Sequence, residues 1–398
     1  MNAVPNAAVG LDELRNADFA AVRGKRVGLV THPAAVDAHL ASAAELFADT
    51  DACQLVRLFG PEHGFAGAAQ DLEGVAETDR PHPRFGVPVV SLYGDTAESL
   101  KPSAKQLADL DVLVIDLVDI GSRYYTFQAT MLFCLEAAAA VGLPVVVLDR
   151  NNPLGLTDVE GPTIRPGFES FVGVHPIATR HGLTMGELAT LYKAERVPNA
   201  DLTVLRVPGL GRDPNVVSMS PTWLSPSPNV PTGTTADVYP GMCLIEGTNL
   251  SEGRGTCRPF ELVGHPKLDP WKAATELNCE GIPGARFLPT TFTPMFQKHA
   301  NRPCGGVQLV IDDYDAFKPV RAGLAVIAVL RKLLGDEFRW RTETYEFVSH
   351  VPAIDLLLGS DRERLAIEAG VPWWEIAAAW EPEEAAFAER RRAAFLYG

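Results

Sequence analysis

From Arg26 onward the chain alternates short, β-branched apolar runs with longer stretches of helical periodicity. The runs at residues 26–31 (RVGLVT), 55–60 (LVRLFG), 87–94 (VPVVSLYG), 111–117 (DVLVIDL), 144–149 (PVVVLD) and 202–207 (LTVLRV) are apolar over most of their length. Strands of that kind are buried on both faces, so the pattern predicts a parallel sheet between helical layers. Helices fit at residues 41–49, 103–109 and 127–141, the last stopped by Gly142 just ahead of a proline. Thr184 with Glu187 three residues later opens another at LTMGELATLYKAER. This is a capping box, which makes Thr184 a helix cap rather than a nucleophile.

The polar residues gather where these runs end. Thr31 and His32 follow the first, Glu62 and His63 the second, and Tyr93 closes the third. Asp116 and Asp119 with Gly121 to Tyr125 follow the fourth, and Asp149 to Asn152 the fifth. Open α/β sheets bind ligands beyond the carboxyl ends of their strands, so five placements on one rim point to a polar site there. Within it, LVRLFGPEHGFAG stands out: Gly-Pro forbids helix and ladder alike and leaves Glu62 and His63 on a turn rooted in a strand. A carboxyl and an imidazole so held suit general acid-base catalysis. The first strand lacks the glycines of a dinucleotide fold, and no phosphate-binding loop or G-x-S-x-G elbow occurs.

Around residues 212–233 the composition turns to proline, serine and glycine, centred on WLSPSPNVPTG, and a domain boundary is placed there, between residues 218 and 219. Prolines flanking Trp223 and Asn229 predict a fixed loop lining a cleft. The next segment, 239–261, interleaves glycines with Glu246, Asn249, Ser251, Glu252, Arg254 and Thr256. Such a chain bends tightly and offers paired donors and acceptors of the kind sugar hydroxyls require, with Trp223 or Tyr239 to cover an apolar ring face. Beyond it come a strand at 306–312, a helix at 319–334, and a helical tail whose Trp373, Trp374 and Trp380 read as core anchors. His265, His299 and His350 have no partners at ligand spacing and read as structural.

A chain of 398 residues exceeds what one core organises, which supports the two-domain division. A formal charge of −15 without any basic run argues against nucleic acid and anionic membrane surfaces as partners. The six cysteines are scattered singly, as core thiols of a reducing compartment are. No signal peptide or membrane-spanning run is visible, so a cytoplasmic location is expected, without cofactor or metal.

The ordered segments GLVTHPAAVD, FGPEHGF, VSLYG, DVLVIDLVDIGSRYYTF, VLDRNNPLG, VEGP, RHGLTMGELA, SPSPNVP, YPGMCLIEGTNLSEGRGTCRPFE and AIDLLLGS resemble the family of exo-lytic β-N-acetylmuramidases of the NamZ type. The resemblance implies a Rossmann-like α/β domain, a smaller α/β domain, and an active site in the cleft between them. It implies hydrolysis that releases N-acetylmuramic acid from the non-reducing end of peptidoglycan fragments; many relatives carry an export signal that is not visible here, so intracellular recycling of imported muropeptide sugars is expected. The family's catalytic glutamate falls on Glu62. Where relatives often have an arginine this chain has Ala66, so contact with the muramic lactyl carboxylate is expected from Arg123, Arg150 or Arg254.

A glycosidase usually needs a second carboxylate. Asp116, Glu160, Glu246 and Glu252 are candidates, with Asp116 and Glu246 placed beside Glu62 as catalytic, and participation by the substrate's acetamido group is the alternative. Substrate contacts are expected from His63, Tyr93, Arg123, Tyr124, Arg150, Asn152, His181, Asn229, Asn249, Glu252 and Arg254. Two rival readings are a metal-dependent hydrolase using His63, Asp116, Asp119 and His181, and a sugar-binding protein without catalysis. The oligomeric state is left open.

Overall fold

The computed structural model describes residues 8–70, 72–75, 81–212 and 222–398. Six strands, β1 (Arg26–Thr31), β2 (Gln54–Gly60), β3 (Val89–Ser91), β4 (Val112–Asp116), β5 (Val145–Leu148) and β6 (Leu202–Leu205), form the first sheet. All pair in parallel, in the order β3-β2-β1-β4-β5-β6. The winding reverses between β1 and β4, which is the Rossmann arrangement and puts the ligand crevice at their carboxyl ends. β3 is shorter than the apolar run from 87 to 94. After Leu92, whose N donates to Gly60 O at 2.8 Å, the ladder gives way to side-chain bonds: Ser91 Oγ accepts from Tyr93 N at 3.1 Å, and Ser99 Oγ accepts from Gly94 N at 2.8 Å.

Helices Ala43–Asp49, Ala104–Leu107, Phe127–Val141 and Met185–Glu195 cover this sheet. Gly142, at φ +68, ends the third of these. Thr184 caps the fourth, accepting from Glu187 N at 3.1 Å, and its hydroxyl donates to Asp149 Oδ2 at 2.8 Å, tying the helix to the end of β5.

The second, smaller sheet holds β7 (Leu262–His265), β8 (Ala285–Phe292) and β9 (Cys304–Ile311), antiparallel with β9 in the centre. Beside it lie helices Gly233–Met242 and Pro319–Leu334. These two touch backbone to backbone. A Cβ on Gly241 would stand 1.8 Å from Pro319 O, and one on Gly323 would stand 2.1 Å from Gly241 O. The glycine-rich segment expected to bend tightly begins as ordered helix, with Pro240 in its last turn and a 3-10 turn, Cys243–Gly247, after it.

The end of the chain returns to the first sheet. Tyr397 donates its hydroxyl to Asp149 Oδ2 at 2.6 Å, and the buried Arg391 donates to the carbonyls of Thr157, His181 and Gly182. Arg321 bridges Glu160 and Glu384. Of the three tail tryptophans Trp380 is fully buried, whereas Trp374 is 53 % exposed and is no core anchor. The cysteines are all free, with Cys134, Cys243 and Cys304 buried; Cys257 and Cys279 are exposed rather than core thiols. Among the described residues no helix is long and apolar enough to cross a membrane.

Replacing Gly323 by Ala forces the two touching helices apart and is expected to cost about 2 kcal/mol or more, as overpacked cores do. Calorimetric melting of the variant should show a fall of several degrees; an unchanged melting temperature would mean that the close approach carries no stability.

Candidate active site

Gly60 ends β2 where the chain folds back on itself, since a Cβ there would lie 2.3 Å from Phe65 N. Pro61 follows, and Gly64 N donates to Pro61 O at 2.9 Å, with His63 and Gly64 both at positive φ. This turn holds Glu62 at 5 % exposure. Its carboxyl borders a cavity of about 30 Å³, walled from the first domain by His63, Tyr124, Tyr125, Thr126 and Phe127, and from the loop after it by Ser227 and Asn229. Tyr239, Glu246, Arg254, Phe260, Tyr345 and Glu346 close it from the second.

The electrostatics of Glu62 follow from that enclosure. Burial pushes its carboxyl up to about 7, against an ordinary value of 4.5. The hydroxyl of Thr126, which donates to Glu62 Oε2 instead of capping the helix behind it, works in the opposite direction. The charge of Glu246 raises Glu62 further and that of Arg254 opposes it.

Glu246 is held differently. Arg254 Nη2 bonds one of its oxygens and Tyr345 donates its hydroxyl to the other at 2.7 Å. Arg254 also pairs through Nε with Glu252 at 3.1 Å, and Lys298 lies 2.7 Å from the other Glu252 oxygen. Burial alone would raise Glu252, but Lys298 and Arg254 outweigh it and hold its carboxyl below the usual range. Tyr93, at the end of β3, donates its hydroxyl to Glu346 Oε2 at 3.1 Å.

The structure therefore brings together Glu62, His63, Tyr124, Asn229, Glu246 and Arg254 of the residues read from the sequence, with Glu252 behind Arg254 and Tyr93 behind Glu346. Others lie elsewhere. Asp116 is fully buried in a two-pronged pair with Arg150, whose third nitrogen donates to Val36 O at 3.0 Å. Arg150 and Asn152 border a separate cavity of about 500 Å³ beyond β1, β4 and β5, with Trp223, so the carboxyl rim serves two cavities rather than one.

Arg123 is wholly buried and spends its guanidinium on the carbonyls of Pro162, Ile177 and Leu357. Asn249 accepts from Arg339 N at 2.8 Å and donates to Glu337 O at 2.9 Å, a fastening between loops. His181 is buried 3.4 Å from Asp119. Of the four residues of the metal-hydrolase reading, His181 and Asp119 meet, whereas Asp116 is paired with Arg150 and His63 lies at the Glu62 cavity; among the described residues no group of three His, Cys, Asp or Glu side chains could hold a metal ion.

Thr126, Tyr345 and Glu346 belong to the site without having been singled out in the sequence. Thr126 carries a faint signal, closing the run RYYTF. Tyr345 and Glu346 carry none, because they reach the cavity only through tertiary folding.

Two family models, described as the N-terminal and C-terminal parts of exo-β-N-acetylmuramidase NamZ, match residues 27–234 and 237–397. The chain belongs to this family of glycosidases. It is 39% identical over 394 residues to the peptidoglycan β-N-acetylmuramidase NamZ of Bacillus subtilis strain 168, covering 99% of this chain and 92% of the relative. Two solved DUF1343-family proteins of Bacteroides fragilis share its fold. One has a TM-score of 0.87 at 29% identity, covering both chains fully; the other has 0.76 at 27%, covering 98% of this chain and 99% of its own. The NamZ N-terminal match contains Glu62, Thr126 and Asn229, and the C-terminal match contains Glu246, Arg254, Tyr345 and Glu346.

Because the folded-state value of Glu62 lies above its unfolded one, the folded protein retains a proton that the unfolded chain releases, and stability falls as pH rises from about 4.5 to about 7. At pH 8 the buried charge costs on the order of 3 kcal/mol. Glu62→Gln is expected to melt higher than the parent at pH 8 and no higher near pH 4.5; equal differences at both pH values would contradict the raised value.

Proposed function

We propose that this NamZ-family chain releases terminal N-acetylmuramic acid from the non-reducing end of peptidoglycan fragments, with Glu62 as general acid/base. The observation that carries the reading is a carboxyl group held protonated to about neutrality in a cavity it shares with the paired carboxylate of Glu246. Glycosidases divide acid and charged roles between carboxyl groups by giving them unlike surroundings. Here Glu62 has lost water and gained one hydroxyl donor, whereas Glu246 has a guanidinium and a phenol.

In this mechanism Glu62 gives its proton to the glycosidic oxygen as the bond to the anomeric carbon breaks. Glu246, paired with Arg254 and the Tyr345 hydroxyl, stabilises the positive charge that develops on the sugar. Water then opens an intermediate formed by the substrate's own acetamido group, with Glu62 taking up the proton that water releases; in the alternative, direct attack from the opposite face, Glu246 would have to take that proton. Of the three arginines expected to meet the lactyl carboxylate, Arg254 is the one that borders this cavity, so we assign the contact to it. Tyr124 and Phe260 supply apolar wall, and Asn229, which donates to Gln70 Oε1 at 2.9 Å, sits where it can turn to a sugar hydroxyl.

Hydrolysis of a chromogenic N-acetylmuramide is expected to fall about a hundredfold or more in Glu62→Gln, the usual contribution of a general acid. A loss within about tenfold would sink the acid role. Activity should decline as pH rises through about 7, where Glu62 ionises. Thr126→Val, which removes a bond favouring the carboxylate, should move that decline to higher pH, and Glu246→Gln, which removes a neighbouring negative charge, should move it lower. Rate profiles of the two variants that shift the same way would contradict this reading of the site.

A further inference from the structure

The cavity of about 500 Å³ and the Glu62 cavity share their walls. The proline-rich crossover gives Trp223 and Leu224 to the larger and Ser227 and Asn229 to the smaller. The helix Gly233–Met242 gives Asp237 to one and Tyr239 to the other, and the stretch after β4 gives Val118 to one and residues 124–127 to the other. His32 stands in the layer between. Its Nε2 accepts from Val118 N at 3.0 Å, and its ring meets Phe127 edge-on with centroids 4.9 Å apart. Neighbouring compartments of this kind suit successive units of one ligand.

The lining of the larger cavity suits a sugar residue. Its volume falls within the roughly 300–1,000 Å³ of ordinary ligand pockets, which are mainly apolar with a few polar groups that fix orientation. Leu154, Leu156, Trp223 and Phe317 give apolar wall, and Trp223 is anchored by its Nε1, which donates to Val230 O at 3.0 Å. Most of the charged groups already have partners: Arg150 is paired with Asp116, Arg212 with Glu187, and Asp158 with both Arg180 and Lys318. Asp237 differs. Among the described residues its carboxylate forms no hydrogen bond or ion pair, Arg180 acts on it only as a more distant charge, and burial pushes it up to about 7. Such a carboxyl costs stability until a donor reaches it, and the hydroxyl and amide groups of an N-acetylhexosamine are donors of that kind.

We propose that this cavity is the subsite on the leaving-group side of the substrate, holding the N-acetylhexosamine that follows the terminal N-acetylmuramic acid, with Asp237 accepting from its hydroxyl or amide groups and Trp223 covering its ring face. The inference rests on the muramidase reading of the Glu62 cavity. An enzyme that releases a terminal sugar must hold the remainder across the bond it cuts, and the Glu62 cavity, at about 30 Å³, has no room for it. Arg150, Asn152 and Trp223, expected near substrate from the sequence yet absent from the Glu62 cavity, all border this one.

The test compares one sugar with two. In the Glu62→Gln background, isothermal calorimetry is expected to give a Kd for N-acetylmuramyl-N-acetylglucosamine about tenfold or more below that for N-acetylmuramic acid. Adding Asp237→Asn, or Leu224→Trp, which narrows the cavity from a partly exposed wall position, should remove that advantage and leave the Kd for N-acetylmuramic acid within about twofold. Asp237→Asn should melt no lower than the parent, because the carboxylate it replaces stabilises nothing in the fold. With Glu62 intact, either variant should raise KM for the disaccharide about tenfold or more. A disaccharide bound no more tightly than the single sugar would overturn the proposal, as would an unaltered Kd and KM in either variant or a loss shared equally by the two sugars. Should the protein with Glu62 intact hydrolyse neither the disaccharide nor a chromogenic N-acetylmuramide, the muramidase reading fails first and this inference falls with it; hydrolysis of the disaccharide with unchanged KM in Asp237→Asn defeats the inference alone.

Discussion

Glu62 keeps its proton near neutrality chiefly because water is kept from it, and much of this molecule is arranged around that constraint. The turn that carries Glu62 cannot exclude water alone, since it stands at the edge of a sheet with a crevice above it. The remaining walls come from elsewhere: Thr126 and Phe127 from the start of a helix, Ser227 and Asn229 from the proline-rich crossover, and Tyr239, Glu246, Phe260 and Tyr345 from the second domain. Desolvation is the largest influence on Glu62, so its chemistry belongs to the closed two-domain assembly rather than to the β2 turn.

Closure of that kind requires the second domain to be held in register with the first, and the fold provides several ties. The contact of Gly241 with Gly323 fixes the helix bearing Tyr239 within the second domain, and Tyr124 reaches across from the first to donate to Pro240 O. Arg123 joins Pro162 and Ile177 to Leu357 from a wholly buried position, and Tyr397 brings the last turn of the chain back to Asp149 at the end of β5. Asp149 accepts from Tyr397, Thr184, Gly186 and Arg150 at once. Four donors on one buried acid make it a structural knot.

The first sheet was legible because strands buried on both faces announce themselves as apolar runs, and Gly142 and the Thr184 capping box marked their helices. The rim was legible for the same reason, since polar residues at strand ends have few other places to go. Their roles were not. Arg123, Arg150, Asp116 and His181 carry the chemistry expected of a site, yet they satisfy carbonyls and one another below it, and whether an arginine faces a cavity or a carbonyl depends on packing that periodicity does not report. Thr126, Tyr345 and Glu346 went unread for the converse reason: their meaning comes from contact with residues distant in sequence, 64 positions in the case of Thr126 and Glu62 and 253 for Tyr93 and Glu346.

A negative charge beside a carboxyl that must hold its proton raises a problem of balance, and Glu246 has a second carboxylate, Glu252, behind Arg254. Were Glu246 uncompensated, its charge would raise Glu62 further, and a proton so tightly held is a poor one to donate. The structure counters each with a cation: Arg254 lies between the two glutamates, and Lys298, anchored on the carbonyls of Ile245 and Thr248, takes the far oxygen of Glu252. Two acids and two bases make a nearly neutral cluster, so that Glu62 responds mainly to its own burial and to the single hydroxyl of Thr126. Lys298 therefore matters at a distance: it shares with Arg254 the charge of Glu252, while Arg254 also pairs with Glu246, the carboxylate that the proposed mechanism places at the anomeric carbon.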